Sequence, residues 1–164
     1  MSDLKLTSKR EDREFDIHPE GTFMAVCRDV WVERKPNPKA GQINQWGNEE
    51  PDDLVRAVIE FLTDEPIEID GQIFPRFISA RLNYTWGEKG KLRAFVSMWD
   101  SAMGKADDVD LEALVGRGAY LTVTHNPSAD GSKVWANITT ISAPPKGASI
   151  PAIPSNFIRH KDKP

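Results

Sequence analysis

One stretch changes its period in mid-course. Before Tyr84 the residues alternate: Phe74, Ile78, Ala80 and Leu82 share one side, Ile73, Phe77, Ser79 and Arg81 the other. Beyond Thr85 the apolar residues Leu92, Phe95, Val96 and Trp99 follow helical spacing and form one stripe. Thr85 and Glu88 stand at capping-box spacing, which predicts a helix from about Glu88 to Ala102. A strand that feeds directly into a packed helix, with further strands on both sides, predicts a small barrel plugged by one helix.

The flanking segments supply those strands. Thr22–Glu33 alternates Met24, Val26, Val30 and Val32 with Phe23, Ala25, Cys27 and Trp31, which predicts a long, substantially buried strand. Leu54–Thr63 is rich in Val, Ile and Phe and is expected to break at Asp64-Glu65-Pro66. Ile67–Gly71 reads as a short edge piece closing on an Asp-Gly turn before a third strand, Gln72–Tyr84. Asp110 caps a short helix over Leu111–Val115, with Gly116 ready to end it. Ala119–His125 and Val134–Ser142 read as a closing hairpin.

Residues 34–53 hold three prolines and two glycines and read as one long loop, basic at Arg34, Lys35 and Lys39 and acidic at its end. The expected organisation is a flexible arm over 1–20, a domain over 21–143 and a Pro-rich tail over 144–164. The tail can extend along the body through Ile150, Ile153, Phe157 and Ile158. Three strands, a helix and two strands make a mainly β chain in the order of a five-stranded OB-fold barrel, with a helix between strands 3 and 4; a generic α+β sandwich would read similarly. That fold binds oligonucleotides or oligosaccharides across its second and third strands.

A net charge of −4 lowers the prospect of a general nucleic-acid magnet, but a basic groove can sit on an acidic body. Cys27 is the single cysteine, which excludes an internal disulfide and fits a reducing cytoplasm. No apolar run reaches the roughly 20 residues of a membrane span, and MSDLKLTSKREDREFD lacks a signal-peptide core. The expectation is a cytoplasmic protein without a membrane partner.

The run Thr85-Trp86-Gly87-Glu88-Lys89-Gly90-Lys91-Leu92-Arg93, with Val96 and Trp99 after it, resembles a family of phage-encoded OB-fold single-stranded DNA-binding proteins. The resemblance continues through Asp110-Leu111, Leu114-Val115-Gly116, Leu121–Asn126, Val134–Ile138 and Ile141–Gly147, covering about residues 20–147. It implies sequence-nonspecific binding in replication or recombination, in the host-cell cytoplasm. The end of the chain, His160-Lys161-Asp162-Lys163-Pro164, departs from the acidic tip by which bacterial single-strand binders recruit partners.

Such binding needs aromatic faces for bases and cations for phosphates. The five tryptophans divide accordingly. Trp99 belongs to the helix stripe and so to the core. Trp86 plugs the barrel or binds, and Trp31 stacks a base or packs. Trp46 sits in a polar loop, and Trp135 faces out if Ala136 and Ile138 face in. Arg56, Arg76 and Arg81 lie on the second and third strands with Phe77. Arg34, Lys35 and Lys39 stand on the loop above, and Tyr120 offers a further platform.

The expected partner is single-stranded DNA, with RNA admitted by the same chemistry. A homodimer and replication proteins are further partners. No catalytic set, metal site or cofactor motif is expected: His18, His125 and His160 are scattered, and Gly87–Leu92 lacks phosphate-loop spacing. The alternative is an OB-fold protein-interaction module that docks to or inhibits a replication or host-defence protein.

Overall fold

A computed structural model describes residues 17–163. The arm expected over 1–20 therefore lies mostly outside the described residues. Five strands form one antiparallel sheet: β1 (Gly21–Pro36), β2 (Asp53–Ile69), β3 (Gln72–Asn83), β4 (Gly118–Pro127) and β5 (Val134–Ser142). Their order is β3-β2-β1-β4-β5. The outermost two, β3 and β5, approach within 8 Å between Cα atoms. Helix α1 (Lys91–Trp99) and the single turn α2 (Ser101–Gly104) lie between β3 and β4 in the chain.

The alternation expected for β1 is interrupted. Its register with β2 shifts between Cys27 and Asp29, a bulge at Arg28. Before the bulge Phe23, Ala25 and Cys27 face the core; after it Val30 does. The bulge is pinned from the other side, where Cys27 N–H donates to the Arg117 carbonyl and Gly116 N–H to the Cys27 carbonyl. It turns Asp29 and Trp31 onto the outer face of the sheet. Cys27 itself is buried, which pushes its thiol up to about 12.

The break expected at Asp64–Pro66 does not end β2. The irregularity is absorbed between Leu62 and Pro66, and the strand resumes with Pro66 opposite Pro75. Two residues that cannot donate thus share one ladder position. The hairpin closes at Asp70 and Gly71, with φ of 52° and 79°, as a type I′ turn requires.

The helix stripe forms as expected, and Leu92, Phe95, Val96 and Trp99 are its buried residues. The capping box does not. Thr85 Oγ1 accepts from Gly87 N–H, Gly90 N–H closes a turn on the Gly87 carbonyl, and α1 starts three residues beyond Glu88 at Lys91. The N-cap is Gly90, with no side-chain bond. Two glycines in the first expected turn make the tight turn cheaper than a helical one. Leu111–Leu114 is a 3-10 helix rather than an α-helix, with Asp110 Oδ1 accepting from Glu112 N–H at 3.1 Å.

Phe61, Ile59, Leu92, Leu114 and Leu121 are fully buried in the centre. At one end the core is closed by His18, only 4% exposed. Its ring lies edge-on to Phe23 at 4.5 Å and contacts Thr63 Oγ1 at 2.7 Å. Burial holds this imidazole below its ordinary 6.5. Above about pH 6.5 both folded and unfolded rings are neutral. Below it the unfolded ring takes up a proton that the folded ring resists, so stability falls by up to about 1.4 kcal/mol per pH unit. The melting temperature is expected to decline from pH 6.5 to 5.5. His18→Gln should flatten that decline; an unchanged slope in the variant would exclude His18 as its source.

Candidate nucleic-acid interface

The outer face of β1, β2 and β3 is built in cross-strand rows. Val26, Leu62 and Phe77 form one row, Asp29, Glu60 and Ser79 the next. Trp31, Val58 and Arg81 follow, then Glu33, Arg56 and Asn83. Arg28 joins this face from the bulge: its Nε meets Glu60 Oε1 at 2.6 Å and its guanidinium lies 4.5 Å from the Phe77 ring centroid. Phe77 is 57% exposed. Arg81 Nε stands 3.6 Å from Glu33 Oε2, an ion pair too long for a hydrogen bond, and that buried oxygen has no other partner among the described residues. Arg56 forms no ion pair among the described residues. Trp31, Phe77, Arg56 and Arg81 are therefore brought onto one face.

Arg76 lines a concavity with Arg28 and Phe77 at the end of the sheet, with its guanidinium already engaged. It alternates with Phe77 and Arg81 along β3, and its guanidinium donates to the Ile17 carbonyl at 3.3 Å. It ties the incoming chain to the sheet end.

Residues 37–52 form no helix or strand, as the loop reading expects, and are hydrogen-bonded into a finger. The β1–β2 ladder ends with Pro36 opposite Asp53, and just beyond it Asn37 N–H donates to the Asp52 carbonyl. Asn37 is buried, donates to the Pro51 carbonyl at 2.9 Å and accepts from Lys39 N–H at 3.0 Å. Gly41 N–H donates to the Glu50 carbonyl and Glu50 N–H to the Gln42 carbonyl, and Ile43 bridges to Glu49. At the tip, Asn44 Oδ1 accepts from both Trp46 N–H and Asn48 N–H, and Gly47 supplies the left-handed φ of 80°. Trp46 stands on this tip, 76% exposed, and lines a concavity of about 470 Å³ with Lys39. At the finger's root Arg34 pairs with Asp53 and Lys35 with Glu33, each at 3.4 Å.

Tyr120 and Trp135 lie elsewhere. Tyr120 pairs with Met24 on β1 and Ser142 on β5. Met24 is roughly 23 Å along β1 from Trp31 at the usual strand rise. Ala136 and Ile138 do pack toward the core, and Trp135 faces out opposite Asn126, with Lys133 Nζ 5.8 Å from its ring. The adjoining turn is fixed by Asp130, whose carboxyl is lowered to about 2 by hydrogen bonds from Ser132 and Ser128. Trp99 is buried, and Trp86 is half-buried against the core. Trp86 Nε1 donates to the Ala106 carbonyl under the Arg93 guanidinium, and Trp99 Nε1 donates to the Gly118 carbonyl.

Sequence reasoning missed what covers the outer face. Residues 143–163 form no strand and end in a 3-10 turn, His160–Asp162. They pack along the body as the apolar residues suggested, with Ile150 against Gly118. Phe157 takes the second side of Arg28, at 4.5 Å. Arg159 Nε meets Asp29 Oδ1 at 2.8 Å, and its two terminal nitrogens meet the Glu112 carboxylate at 2.9 and 2.6 Å. These bonds hold Glu112 below its ordinary range and raise Arg159. The His160 ring lies flat on Trp31, centroids 4.5 Å apart and planes 6° apart. On the same face Val26, Val58 and Leu62 are buried. The legible signal was the pair Arg28-Asp29, two charges interrupting an apolar strand.

Among the described residues no three His, Cys, Asp or Glu side chains gather as metal ligands, and no helix is long and apolar enough to cross a membrane. What the face and the finger beside it offer is planar apolar surface, guanidinium groups and an exposed tryptophan on a hydrogen-bonded tip. No protein-family model matches the chain, and no curated protein matches it in sequence.

Proposed function

We propose that this chain is an OB-fold, sequence-nonspecific single-stranded DNA-binding protein of phage replication or recombination type. The strand order, with β3 and β5 approaching each other, supports closure of the sheet as a five-stranded OB barrel plugged by α1. The observation that carries the function is the ordered finger that holds Trp46 out beside Lys39, rooted in a face that groups Trp31, Phe77, Arg28, Arg56 and Arg81. Bases stack on the aromatic faces, guanidinium and ammonium groups track the phosphates, and no bond is made or broken.

The test is a tryptophan-fluorescence titration with oligo(dT) at rising salt. Quenching is expected, with log K falling against log salt at about −0.7 per phosphate engaged. Absence of quenching with both DNA and RNA strands at low salt would sink the reading.

One observation favours a protein-docking module instead. The far end of the β2–β3 hairpin exposes Ile69 and Phe74 around a concavity of about 410 Å³. If no strand binds, capture of replication or host-defence proteins on this hairpin becomes the experiment of choice.

A further inference from the structure

We propose that the Trp31 ring is a nucleobase slot, that His160 occupies it in the free protein, and that Arg159 builds it by neutralising Asp29. The inference rests on the single-strand reading and deepens it.

The stack has the geometry a base would take. Two planar rings lie 4.5 Å apart and 6° from parallel, on the face that carries Arg28, Arg56 and Arg81. Among the described residues the imidazole makes no hydrogen bond; the His160 backbone does, its N–H donating to Asp29 Oδ2 at 2.7 Å and its carbonyl accepting from Lys163 N–H at 3.3 Å. His160 is exposed. Rotation about its own side-chain torsions therefore uncovers Trp31 without moving the backbone, and a base can replace the ring like for like.

Arg159 has the opposite role. Asp29 is 1% exposed and two residues from Trp31 on the same face. Its carboxylate accepts from Val30 N–H, Arg159 Nε and His160 N–H. Without Arg159 an uncompensated carboxylate would stand beside the slot and repel a phosphate-bearing strand. Arg159 is a positioning residue, clamped from behind by Glu112. Adjacent residues should thus change affinity in opposite directions.

The experiment uses the full chain and oligo(dT). His160→Ala is expected to bind about 3- to 10-fold tighter than wild type, since a stacking competitor is gone. His160→Phe, which keeps a ring, should return to wild type. Arg159→Ala should bind at least about tenfold weaker, with Arg159→Lys recovering part of the loss. Trp31→Ala should weaken binding and erase the gain of His160→Ala in the double variant. The emission of the free protein should also change in His160→Ala, reporting the stack without any ligand. If alanine lowers the melting temperature, His160→Gln repeats the test.

Wild-type binding with His160→Ala no tighter, or with both substitutions acting in one direction, would overturn the slot and leave the single-strand reading standing. An unchanged emission in His160→Ala would overturn it too. No binding by any variant, with folding intact, would defeat the single-strand reading and the slot with it.

Discussion

Replacing Trp46 by alanine is expected to weaken single-strand binding about 5- to 150-fold, the worth of one base stack at ~1–3 kcal/mol, and to leave the melting temperature where it is. Both halves follow from the finger. Trp46 is 76% exposed and packs against no core residue, so its removal opens no cavity. The backbone beneath it is held by Asn44, Gly47 and the Gln42–Glu50 ladder, none of which uses the indole. A ring already presented on a fixed support loses little freedom on binding, so most of its stacking energy reaches the affinity. Titration and thermal melting of the same variant check both. A melting temperature lowered by several degrees would mean that the finger folds around Trp46. An unchanged affinity would place the strand away from the finger.

Trp46 was legible from sequence because it broke a local rule: a large apolar ring among Asn, Gln and Gly. Other features legible in the sequence were local too. The stripe Leu92, Phe95, Val96 and Trp99, the Asp70-Gly71 turn and the span Val134–Ser142 each depend on neighbours a few residues away. The helix start was misread because Thr85 and Glu88 have cap spacing, while the intervening Gly87 and following Gly90 favour a turn. The finger is loop, as its prolines and glycines say; what composition did not show is its internal pairing, made by backbone groups and one buried asparagine, which leave no hydrophobic alternation behind. The cover on the outer face could not be read at all. Arg159 and Asp29 are 130 residues apart, and nothing in the tail's composition says which face it lies on. Arg76 shows the same limit at shorter range: being on β3 did not decide its side, and its partner proved to be the Ile17 carbonyl.

Trp99→Ala carries the largest expected effect on stability, a loss of ~3–5 kcal/mol. Trp99 is buried on α1, with its ring 5.3 Å from that of Phe61 on β2. Truncation removes most of a large apolar surface and leaves a void between helix and sheet that close-packed neighbours fill only in part. It also deprives the Gly118 carbonyl of the Nε1–H it accepts at 2.8 Å. Gly118 cannot easily shift to compensate, because Ile150 and Pro144 of the C-terminal segment crowd it: a Cβ there would come within 2.9 and 3.0 Å of them. Against the ~5–15 kcal/mol of an ordinary domain, the loss takes about a fifth or more of the total. It should lower the melting temperature by roughly 10 °C. Trp99→Phe restores the ring but not the donor and should recover most, not all, of the loss. Thermal unfolding of the pair separates packing from the hydrogen bond. A fall below about 1 kcal/mol in Trp99→Ala would mean that α1 does not anchor the sheet. The same substitution thus gives opposite results at Trp46 and Trp99: affinity changes without stability at the first, stability before all else at the second.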